Sequence, residues 1–168
     1  MKVSPVMIQR LLRFARRENG AALAELAILV PFLVIMLAAV AEVGRFFQTY
    51  TALAKSTRAS ARYLSNHTFD IDEQNRAKAL VVCGKLACTP GEELVDGIDE
   101  TNVCIEYQFP AGSPKPETVK VSIPRTAGCA TPYNFTPIFD IGALLNSSFS
   151  LDVPGMISPS TTMYYMVE

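Results

Sequence analysis

The sequence predicts an α+β chain in which one long N-terminal helix leads from a membrane span into an exported half. That half is expected to pack on a small antiparallel sheet of about four strands. Three observations predict this. Residues 21–41 are an apolar run of 21 residues broken by one acid, Glu25, and residues 26–41 carry no charge. Apolar residues then continue at helical spacing as far as Leu64. Further on, short alternating segments separated by Pro/Gly-rich stretches read as strands.

The apolar run comes first. At roughly 1.5 Å per helical residue it reaches about 30 Å, the thickness of a bilayer's hydrocarbon core. A backbone in hydrocarbon must satisfy its own hydrogen bonds, so the run is expected to be a helix. Pro31 lacks an N–H and leaves the Ala27 carbonyl without its helical donor, so a kink is expected there. It is either a tolerated membrane-helix proline or a flexible point that lets the helix leave the bilayer for a bundle.

Charge sets the orientation. Residues 1–20 carry five cations against one acid, a net of +4, leaving −5 for residues 21–168. Excess Lys/Arg before the span predicts a cytoplasmic N-terminus and an exported C-terminal portion. Arg45, Lys55, Arg58 and Arg62 contest this from the far side, but the leader has more cations close to the span. The leader has a second reading as a short amphipathic helix on the inner membrane surface, with Val6, Ile8, Leu11, Leu12 and Phe14 apolar. An acidic exported part, with no basic patch interleaved with aromatics, argues against nucleic acid as a partner.

Beyond the span, Val43, Phe46, Phe47, Tyr50, Leu53, Ala54, Thr57, Ala61 and Leu64 mark one helix face, predicting one helix from about Ala21 to Ser65. Lys55, Arg58 and Arg62 fall on another face and read first as a solvated one. Glu42 and Arg45 are an i,i+3 pair expected to snorkel at the interface. Asp70 is the expected N-cap of a second helix over residues 71–82, with Asp72 and Glu73 in its first turn and Gly84 ending it. Residues 89–101 are acidic and turn-rich, hence a surface loop. Strands are expected at 102–109, 117–123, 148–153 and 161–167, while the apolar 137–145 reads as a helical turn or a loop touching the membrane.

A basic leader, then Gly20, then Ala21 as a new N-terminus and Glu25 at the fifth position of an apolar helix resemble a type IV prepilin processing site. With the run GAALAELAILVPFLVIMLAAVAEVGRFF and the later STRASARYL, the chain resembles TadE-like minor pseudopilins of the tight-adherence (Tad/Flp) pilus machinery. The resemblance is strongest over about Arg16 to Ser65. It implies a pilin-like fold and cleavage of Gly20–Ala21 by prepilin peptidase on the cytoplasmic side, where Gly20 lets the backbone lie extended in the protease cleft. It also implies that the Glu25 carboxylate answers the freed Ala21 ammonium, in its own or a neighbouring subunit, and sets axial register. The implied partners are the membrane, the peptidase, the major pilin, other minor pseudopilins and the pilus assembly platform. The implied location is the bacterial inner membrane, as a single-pass protein.

Cys83, Cys88, Cys104 and Cys129 all lie on the expected exported side, where an even set reads as disulfides. Of three pairings, Cys83–Cys88 and Cys104–Cys129 are favoured. Gaps of four, fifteen and 24 residues do not give the close pairs of a zinc site. The single histidine, His67, sits in a polar stretch and reads as a surface residue. No nucleophile motif and no phosphate loop appears, so no catalytic residue, metal or cofactor is expected.

The expected organisation is a basic leader at 1–20, a span at 21–41, a periplasmic helix continuation at 42–66 and a disulfide-containing domain at 67–168. Two rival readings stand beside the pseudopilin subunit of an adhesive pilus. One is an uncleaved membrane-anchored periplasmic scaffold. The other is a secreted domain released after Ala41, because Ala39-Val40-Ala41 fits the small-x-small pattern of ordinary signal peptidase. A length beyond the usual signal core, together with Glu25 and Pro31, speaks against release.

Overall fold

The computed structural model describes residues 5–138 and 157–167, with side chains from Gly20 onward. Helix α1 runs Pro5–Ser65 and α2 Ile71–Cys83; strands are β1 (Cys104–Gln108), β2 (Thr118–Ser122) and β3 (Ser160–Tyr164). The strand expected at 148–153 lies outside the described residues, as does most of the apolar stretch 137–145. Three strands, not four, therefore make up the described sheet. The chain divides into two compact units, Met1–Ala41 and Glu42–Glu168.

In the first unit α1 begins well before Ala21, where the sequence reading started it, and passes through Gly20 without a break. Proline is well suited to the first turn, where its missing N–H has no helical partner to lose. A single interior glycine costs only about 1 kcal/mol against alanine, too little to stop a helix between strong formers. From Gly20 to Val34 the side chains are exposed around the whole helix, and nearer Ala41 only Ile35, Ala38 and Ala39 are half-buried; Ile28 and Leu37 are 77% and 70% accessible. Among the described residues this is the one helix long and apolar enough to cross a membrane.

The second unit has its own core. Leu53, Ala61 and Leu64 of α1 meet Ala77, Val81 and Val82 of α2, Val119 and Val121 of the sheet, and Ile123 just beyond β2. The close approach of the two helices depends on small residues: Ser60 and Ala77 are fully buried, and the Ser60 hydroxyl donates to the Ala77 carbonyl at 2.8 Å. Buried Ser56 and Thr57 donate to the Leu53 and Ala54 carbonyls, so this polar stripe is internally satisfied. The face read in the sequence holds from Leu53 onward, where Leu53, Thr57, Ala61 and Leu64 are fully buried, but not beside the span: Val43, Phe47 and Tyr50 are exposed, and Glu42, Ser56 and Ser60 are buried instead. Apolar residues near the span surround the helix, so periodicity there cannot say which of them face a core.

Asp70 caps α2 in extended geometry, its carboxylate accepting the Ile71 N–H at 2.6 Å, and Gly84 closes the helix in the left-handed region at φ 69°. A side chain at Gly84 would be strained there. The sheet is antiparallel in the order β1-β2-β3, with Cys104 opposite Ser122 and Ser122 opposite Ser160. Alternation places Val119 and Val121 inward, while Lys120 pairs across the strands with Glu106 at 2.7 Å. After β3, the Met166 N–H donates to the Ser65 carbonyl and ties the last residues to the end of α1.

The acidic loop is more anchored than a free surface loop. Ile98 is buried, the Leu94 N–H donates to the Val82 carbonyl, and Asp99 caps a 3-10 turn at Glu100–Asn102. Buried Asn102 then holds the irregular stretch through its amide, which donates to the Thr131 carbonyl and hydroxyl.

Candidate functional site

Gly20 lies inside α1, exposed, and a Cβ built on it meets nothing within 4 Å. Neither packing nor a left-handed backbone demands glycine here. Ala21 and Glu25 are likewise exposed, and Glu25 has no ion-pair or hydrogen-bond partner among the described residues. Pro31 sits mid-helix, where it removes the donor for the Ala27 carbonyl. The helix carries these residues in sequence order but gathers none of them into a pocket. What this stretch offers is an apolar surface with one acid in it.

Glu42 departs most from expectation. It is buried, not snorkelling, although it keeps its pair with Arg45 at 3.4 Å. Its carboxylate also accepts the Ile138 N–H at 2.9 Å. The Arg45 guanidinium lies 5.6 Å above the Phe135 ring, and Phe135 packs edge-on against Phe46 at 5.7 Å. Glu42 thus clamps the 135–138 segment to α1. Its partner is 96 residues away, and no local pattern announces such a contact.

The cysteines pair as Cys83–Cys88 and Cys104–Cys129, each with 5.6 Å between Cα atoms, an ordinary separation. Cys104, Glu106 and Cys129 are also close enough to suggest a metal cluster. The two sulfurs are bonded to each other, however, so the group offers only one exposed carboxylate. His67 is half-buried, correcting the surface reading: Nδ1 is 2.7 Å from the Tyr63 carbonyl, the ring stacks on Tyr63, and the Tyr165 hydroxyl donates to the His67 carbonyl. The single imidazole is therefore committed to the end of α1 rather than placed beside a nucleophile.

Two tyrosines report the packing. Burial first, then the nearby Tyr165, pushes Tyr107 up to about 12, and its hydroxyl is the one buried side-chain polar atom without a partner among the described residues. Tyr63 is also raised, by burial and then by its hydrogen bond to Glu73, the acid that pairs with Arg76.

Against this geometry stands one family match. Residues 20–62 match the family model for TadE-like protein. No curated protein and no solved structure matches the chain. The TadE-like segment starts at Gly20, takes in Ala21, Glu25, Pro31 and the whole apolar run, and ends near the C-terminus of α1. The sheet, α2 and both disulfides lie outside it.

Proposed function

We propose that this chain is a minor pseudopilin of a Tad/Flp-type adhesive pilus, anchored in the inner membrane with its C-terminal unit exported. The carrying observation is that the TadE-like segment begins at Gly20 and covers an apolar helix whose side chains are exposed except at half-buried Ile35, Ala38 and Ala39. Gly20 is a glycine that the fold does not require. A requirement from outside the chain explains it: a peptidase cleft needs an extended, uncrowded backbone at the cut. Prepilin peptidase is then the first partner, and the new Ala21 ammonium meets a Glu25 carboxylate that has no other partner among the described residues. Residues 26–41 supply the surface for contact with the major pilin, the other minor pseudopilins and the assembly platform, where packing substitutes for hydrophobic drive. The role is structural and requires no cofactor.

The uncleaved scaffold is the second reading, and one observation favours it: α1 is helical through Gly20, so processing requires local unwinding. The intact mass and first residue of the native membrane-extracted protein separate the two. A chain starting at Ala21 is the expected result. One starting at Met1 selects the scaffold, and one starting at Glu42 discards both. Glu25→Ala is expected to abolish assembly while leaving processing intact.

A further inference from the structure

Charge is strongly segregated within the second unit. Residues 42–65 carry four cations against one acid, a net of +3, and residues 66–168 carry thirteen acids against six cations, a net of −7. Three of those cations, Lys55, Arg58 and Arg62, line one exposed stripe of α1, and none has a carboxylate within ion-pair distance among the described residues. The exposed aromatic rings of Phe47 and Tyr50 flank the stripe on its neighbouring face.

The complementary surface is on the same chain. Glu93, Asp96 and Glu100 are exposed on the loop between α2 and β1, and none of them pairs with a cation among the described residues. Leu94, 45% accessible, stands between them. The loop is held in shape by the bond from the Leu94 N–H to the Val82 carbonyl and by the buried Ile98. It is thus a fixed acidic surface with an apolar centre, matching a basic stripe with an apolar flank.

We propose that the basic stripe of α1 is an interaction surface for a second copy of this chain, which docks its acidic 92–100 loop there. Lipid headgroups fit the stripe poorly. Counted from Glu42, Lys55 and Arg62 stand about 20 and 30 Å along the helix, beyond the ~8 Å Debye length of a headgroup layer at Glu42. Placing unlike charges on two surfaces of one chain gives each copy both halves of the contact, and opposite patches specify partner and register. The inference goes beyond the reading above and stands whether or not Gly20–Ala21 is cut.

A charge swap tests it on the full chain. Two differently tagged copies are co-expressed, extracted from membranes in mild detergent and captured through one tag. The first variant carries Lys55→Glu, Arg58→Glu and Arg62→Glu; the second carries Glu93→Lys, Asp96→Lys and Glu100→Lys. Wild-type copies are expected to co-capture each other. Each variant paired with itself is expected to lose capture by about tenfold or more, and the two variants paired together are expected to regain it. A misfolded variant could not give that restoration. Absence of wild-type co-capture, self-capture of the basic-stripe variant at the wild-type level, or failure of the mixed pair to recover would each overturn the proposal.

Discussion

Residues 20–41 and 42–65 share one helix but are built for different surroundings. In the first stretch Leu23, Ile28, Phe32 and Leu37 are exposed on all sides. In the second, Leu53, Ala61 and Leu64 are fully buried, and apart from Val43 and Ala59 the exposed side chains are polar, basic or aromatic. Helical hydrogen bonding is the same in both, so secondary structure does not distinguish them. The difference lies in where each hydrophobic face finds its cover: the second inside its own unit, the first for the most part not among the described residues. One helix can therefore carry a candidate membrane span and a domain core, and substitutions in its two stretches should answer to different measurements.

The sharpest way to break that comparison is a matched pair of truncations. Leu53→Ala should destabilise the second unit by about 2–5 kcal/mol through lost burial and a residual cavity. Leu37→Ala should leave urea unfolding of that unit, followed by near-ultraviolet circular dichroism in detergent, within about 0.5 kcal/mol of wild type. Equal effects would mean that the two stretches form one cooperative core.

The next effect sits wholly in the second unit. Removing the Cys104–Cys129 bridge with paired serines should cost about 2–4 kcal/mol, and removing Cys83–Cys88 less, because its loop spans far fewer residues. Unfolding midpoints of the two double variants give the order directly, and a reversed order would show that strain or unfolded-state structure outweighs loop length.

Glu42 is where the apolar and folded stretches adjoin in sequence. Glu42→Ala should cost about 1–3 kcal/mol, since the Ile138 N–H loses its acceptor and Arg45 its partner. Hydrogen exchange should quicken at Ile138 while the β2 amides stay protected. If exchange rose throughout the sheet instead, the clamp would belong to the global core.

The smallest effect is a matter of pH. Tyr107 is held up to about 12 when folded against about 10 when exposed. Below pH 10 both states keep the proton and the stabilisation is complete. As pH rises from 10 to 12 only the unfolded state ionises, so stability falls over that window. Tyr107→Phe should flatten this decline, and near neutrality it should be neutral or slightly stabilising because the deleted hydroxyl has no partner. An unchanged alkaline slope would assign the decline to other groups.

Local chemistry was legible where the signal and its cause lie within a few residues. Asp70 and Gly84 bound α2 because a capping carboxylate and a left-handed glycine act on their own turn. Strand alternation located β1 and β2, and the run from Ala21 to Ala41 announced a candidate span by length and composition alone. Gly20, Ala21 and Glu25 were legible as a spacing, although the fold brings no partner to them among the described residues.

The face read from Leu53 onward, with Thr57, Ala61 and Leu64, is fully buried; what failed was orientation beside the span. Val43, Phe47 and Tyr50 read as a core face yet are exposed, while Ser56, Ser60 and Glu42 are buried. Sequence by itself determined that residues 20–65 form a helix that is apolar, then amphipathic, because hydrophobicity and helical period are local properties. Only the tertiary structure decided where the inward face begins and that Ser56, Ser60 and Glu42 belong to it. That choice rests on α2 approaching closely enough for Ser60 to bond Ala77, and on a backbone N–H 96 residues away finding the Glu42 carboxylate.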